Sequence, residues 1–67
     1  MKEEKIKELA EMRDQMVRLR NDSSLVTGVT FNTVAGDIRI GRQDTALLVI
    51  DYIISDIQKQ INYLMKE

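Results

Sequence analysis

LLVIDYIISDIQKQINYL, residues 47–64, sets aliphatic side chains at spacings of three, four, three, four and three: Leu47, Ile50, Ile54, Ile57, Ile61 and Leu64. This is the seam of a coiled coil, a narrow stripe along one side of a helix. The first half of the stretch is apolar beyond the seam, because Ala46, Leu48, Val49, Tyr52 and Ile53 extend the greasy surface around most of the circumference. A helix apolar all round is buried all round. In a chain of 67 residues little else is available to bury it. The expectation is a homo-oligomer whose copies share this helix, with the six seam residues as the interface.

Composition points the same way. A domain of this size buries only about 60% of the surface its unfolded chain exposes, so it needs assistance from disulfides, a metal or a partner subunit. Cys and His are both absent, which leaves the partner subunit. Small secreted domains usually carry disulfides, so the expected location is the cytoplasm. Ten basic and eleven acidic residues give a net charge of −1, which supplies no overall attraction for nucleic acid or an anionic membrane. No apolar run reaches the roughly 18 residues that span a bilayer, and the charged N-terminus lacks the apolar core of a signal peptide.

Upstream of the seam, residues 3–20 read as a helix, with Ile6, Leu9, Ala10, Met12, Met16, Val17 and Leu19 filling about half of its circumference. That broad face must pack, and its two Met residues suit adaptable filling. Asn21-Asp22-Ser23-Ser24 ends the helix, since these side chains satisfy backbone groups locally. The period then changes from 3.6 to two. Val29 and Phe31 alternate with Thr30 and Asn32, and Ile38 and Ile40 flank Arg39, predicting a hairpin of residues 27–34 and 37–42 turning at Ala35-Gly36. A lone two-stranded hairpin is marginal in water, so its apolar face is expected to lie against one or both helices. Asp44 is the expected N-cap of the second helix, which can run from Thr45 to about residue 65. The whole chain reads as one α+β domain, residues 1–67, of helix, hairpin and longer helix.

Chemistry is sparse. Without His or Cys the commonest general base, metal ligands and strongest nucleophile are missing, and no catalytic, cofactor or metal site is expected. Asp51 with Ser55, and Asp56 with Gln60, share helix faces, which reads as a solvated polar stripe. Gly28, Gly36 and Gly41 have no phosphate-loop spacing. Arg39 and Arg42 lie in or beside the second strand. They serve either as charged guards of a sheet edge or, repeated with Asn32 in an oligomer, as a site for a phosphate-bearing ligand or acidic protein surface. Tyr52 is a further candidate contact, able to stack on a ring, although tyrosines on an apolar helix also serve as core. Arg13, Arg18 and Arg20 complement the negative end of the first helix.

Three stretches, LAEMRDQMVRL, the segment from Val29 through Gly36 to Ile40, and DYIISDIQKQI, together resemble the phage head-completion family typified by the lambda W protein, gpW. The resemblance covers residues 6–64 and is one of residue classes, with no signature motif. It implies a helix-hairpin-helix protein without enzymatic activity that joins a packaged capsid to a tail and assembles between other virion proteins. The ALLVI run of residues 46–50 is greasier than that pattern and places self-association ahead of a monomeric helix pair.

Two functions follow as expectations. One is a small, non-enzymatic, self-associating structural adaptor, in its narrower form a phage head-tail joining protein, with another protein as partner. The alternative is a small phage-encoded oligomer that sequesters a phosphate-bearing nucleotide signal or inhibits a host defence protein, through Asn32, Arg39, Arg42 and Tyr52.

Overall fold

A computed structural model describes residues 1–66. Helix α1 spans Lys2–Asn21, a single 3-10 turn spans Ser23–Leu25, strands β1 and β2 span Val29–Thr33 and Gly36–Ile40, and helix α2 spans Gln43–Met65. The α+β order of helix, antiparallel hairpin and longer helix is as the residue pattern predicts.

The seam of α2 is covered by the chain's own α1, and this corrects the argument that it needs a neighbour. Two clusters of side chains join the helices. At one end Leu9 meets Ile57 and Ile61, with Ile6, Ala10, Ile53 and Leu64 around them. Toward the hairpin, Val26, Ala46 and Ile50 form a second cluster, flanked by Met16, Leu19, Val29, Leu47 and Ile54. Early residues of α1 therefore face late residues of α2, the arrangement of an antiparallel pair. The physical reason is length: at 1.5 Å per residue, 20 residues of α1 reach about 30 Å, enough to lie beside the whole seam. Burial is also one-sided. Ala46 and Ile57 are enclosed, whereas Leu48 and Tyr52, two of the residues that made α2 look apolar all round, are 71% and 74% exposed.

Polar contacts reinforce the pairing. Arg20 Nε donates to Asp51 Oδ1 across the helices at 2.7 Å, and Arg13 Nη1 donates to Gln58 Oε1 at 2.9 Å. Arg20 thus reaches α2 instead of the end of its own helix, and Asp51 is engaged. Both ion-pair partners lie at the surface, somewhat under half exposed, so the pair contributes at most about 1 kcal/mol.

The hairpin turns one residue earlier than the sequence suggested. Its register pairs Thr33 with Gly36, leaving Val34-Ala35 as the turn. Neither turn residue has a positive φ, and the left-handed conformation falls on Gly36 at φ 116°, as the first residue of β2. The Thr33 hydroxyl closes the turn, donating to the Gly36 carbonyl at 2.6 Å and accepting from the Ala35 N–H at 3.1 Å.

Asp44 is not the N-cap of α2. Arg42 occupies that position without a side-chain cap, and Asp44 sits in the first turn, where its carboxylate accepts from the Thr45 N–H at 2.8 Å. The helix begins earlier because Gln43 is tied across the fold, its Nε2 donating to the Ser23 carbonyl at 2.8 Å.

The placement of the hairpin corrects a further expectation. The Cα envelope measures 39 × 31 × 14 Å, thin enough for a single layer, and the hairpin extends from the helix pair instead of lying over it. Only Val29 and Ile40, at its base, are half-buried, whereas Phe31 and Ile38 remain 44% and 56% exposed. The base is tight: a Cβ on Gly28 would lie 2.6 Å from the Ile40 carbonyl oxygen.

Ile57→Ala should cost about 2–5 kcal/mol, measured by urea unfolding, while Leu48→Ala should leave the midpoint almost unchanged; equal effects would contradict the assignment of faces on α2. Gly28→Ala should destabilise by roughly 1–3 kcal/mol, because the clash is with backbone and has no flexible side chain to absorb it.

Candidate docking surface

Strand alternation sorts the hairpin into two faces. Val29 pairs with Ile40 and Phe31 with Ile38 on one face, while Thr30 pairs with Arg39 and Asn32 with Asp37 on the other. Aromatic and β-branched residues opposite one another stabilise the pairing. The apolar face continues at Val29 into an open groove of about 390 Å³, whose walls include Met16 and Leu19 from α1, Val26, and Val49 and Ile53 from α2. Leu25 stands exposed on the same groove. Leu25 and Val26 carried no signal in the sequence. Each is an isolated apolar residue after a polar break, with no period to place it, yet Val26 is a core residue.

The residues expected at an oligomer interface lie within the single chain. Ile50, Ile57 and Ile61 are buried, and Leu47, Ile54 and Leu64 pack around them.

The four candidate contacts fall on three surfaces. Asn32 and Arg39 share the polar face of the hairpin with Asp37, and Arg39 Nη2 donates to Thr27 Oγ1 at 3.3 Å. Arg42 is engaged by Asp44 through a two-pronged contact, Nε to Oδ1 at 3.2 Å and Nη2 to Oδ2 at 2.7 Å. Tyr52 is exposed on α2, ten residues beyond Arg42 and thus about 15 Å further along the helix axis.

Among the described residues no polar or charged side chain is buried, and no group of three or more Asp, Glu, His or Cys converges as metal ligands would. Asp56 accepts from Gln60 Nε2 at 2.8 Å on the solvated side of α2. No helix among the described residues is long and apolar enough to cross a membrane.

The hydrogen bond from Arg42, with help from the Thr45 N–H, holds the Asp44 carboxyl below its usual range, and the same contact raises Arg42. A depressed folded value gives stability that is present above the unfolded-state pKa and lost as pH falls through the folded one. Both side chains are well exposed, so the expected signature is in the titration of the site itself. An NMR titration should show Asp44 protonating below an ordinary aspartate, and Arg42→Gln should move it upward; an unmoved midpoint would refute the pairing.

The chain matches no protein-family model, and no characterised protein or solved structure is significantly similar to it.

Proposed function

We propose that the protein is a small, non-enzymatic adaptor that self-associates and docks on other proteins through its hairpin and the adjoining groove. The observation that carries this reading is the apolar hairpin face, where Phe31 and Ile38 stand half-exposed with neither helix over them. Contiguous apolar surface on a small protein marks an interaction site more often than chance. A rigid helix pair that holds out such a surface suits recognition by contact. The narrower form, a head-tail joining protein of a phage, rests on the sequence resemblance alone.

The alternative, capture of a phosphate-bearing nucleotide, draws less support. Anion binding favours cationic groups that converge and are free to donate. Here Arg42 is engaged by Asp44, and Tyr52 stands apart from the hairpin pair of Arg39 and Asn32.

Phe31→Ser combined with Ile38→Ser tests the reading, because both side chains lie outside the core. The double variant should keep its helical circular dichroism while losing the concentration-dependent mass that sedimentation equilibrium is expected to show for the parent. A parent protein that stays single-copy at high concentration and binds no dye for exposed apolar surface would overturn the proposal.

A further inference from the structure

Among the described residues the sheet has two strands, so β2 has an open edge. The Ile40 carbonyl oxygen lies against Gly28 and is therefore directed toward β1. Ladder alternation then gives Gly36, Ile38 and Ile40 the hydrogen bonds to β1 and turns the N–H and C=O groups of Asp37 and Arg39 outward. The edge thus carries unpaired backbone donors and acceptors at two residues of opposite charge, with Ile38 between them. Neither Lys nor Pro blocks it.

We propose that this edge receives a second copy of the same chain: two β2 strands pair antiparallel about a two-fold axis at Ile38, making one four-stranded sheet. The inference rests on the self-association proposed above and names the surface and register. Outward-facing groups must meet outward-facing groups, so registers change in steps of two residues. With the axis at Ile38, Asp37 lies opposite the partner subunit's Arg39, and Arg39 opposite the partner subunit's Asp37. The neighbouring registers set Asp37 against the partner subunit's Asp37, or Arg39 against the partner subunit's Arg39. Like charges directly opposed on a sheet are destabilising. The charge order is therefore self-complementary in one register and repulsive in the two beside it. The β1 edge has no such code, since its corresponding residues, Thr30 and Asn32, are neutral.

Existing contacts leave the charges available. Among the described residues the Asp37 carboxylate makes no hydrogen bond or ion pair. Among the described residues Arg39 gives up a single long bond, 3.3 Å to a neutral hydroxyl, which is weaker than a guanidinium–carboxylate pair in which both partners are charged. Ile38 then faces the partner subunit's Ile38 as a close, non-hydrogen-bonded pair, and the two apolar hairpin faces merge into one. Three or more strands with an apolar face are stable where two are not.

Charge exchange tests the register. Asp37→Arg or Arg39→Asp alone turns both attractive cross-strand pairs repulsive, and should weaken the dimer by roughly tenfold or more in sedimentation velocity. Mixing the two variants should restore association as a heterodimer, because each then meets its opposite. In a second arm Ile38→Cys, in a chain otherwise without Cys, should oxidise readily to a disulfide-linked dimer, since close pairs hold their Cα atoms about 4.5 Å apart. Self-association that neither charge variant alters, or that the mixture fails to restore, would overturn the β2 pairing while leaving self-association by another surface standing. A parent chain that is single-copy throughout would overturn both.

Discussion

Everything in this fold depends on the contact between α1 and the aliphatic seam of α2. The molecule has no disulfide, and none of its described polar side chains is buried, so apolar packing between two antiparallel helices carries its stability, and ion pairs such as Arg20–Asp51 trim it at the surface. The two clusters have different roles. Leu9, Ile57 and Ile61 close the far end of the pair, whereas Val26, Ala46 and Ile50 anchor the segment from which the hairpin departs. Position of the candidate surface therefore derives from the second cluster: Val29 belongs both to that packing and to the hairpin's apolar face.

What the residue pattern disclosed and what it concealed have separate physical causes. Period is a property of neighbouring residues, and it correctly marked two helices, two strands and the buried stripe of α2. What covers that stripe is a question of tertiary packing. The excess apolar residues of α2 suggested a second chain, although α1 had both the length and the apolar face to serve, and Leu48 and Tyr52 were simply left in solvent. Local chemistry misplaced two junctions by a residue or more. Gly36 was taken for the middle of a turn, but its positive φ is used just after it. Asp44 has the right side chain for a cap, but the Gln43 bond to Ser23 advances the start of the helix beyond it.

The candidate site was less legible. Arg39 and Asn32 could be placed on one strand face by alternation alone, and the proximity of Asp44 to Arg42 was visible in the numbering. Val26 and Leu25 had no periodic context, and the groove they help form exists only once α1, α2 and β1 meet. Exposure of Phe31 and Ile38 was also concealed, because an alternating strand pattern states which residues share a face but not whether anything lies upon it.

The antiparallel course of the helices has a geometric consequence. Ile6, near the start of α1, packs in the same cluster as Leu64, near the finish of α2, so the beginning of one helix and the end of the other share a pole while the hairpin occupies the opposite one. Tethers, labels or fused domains attached near Lys2 or Met65 would project from that pole and leave the hairpin clear at the other.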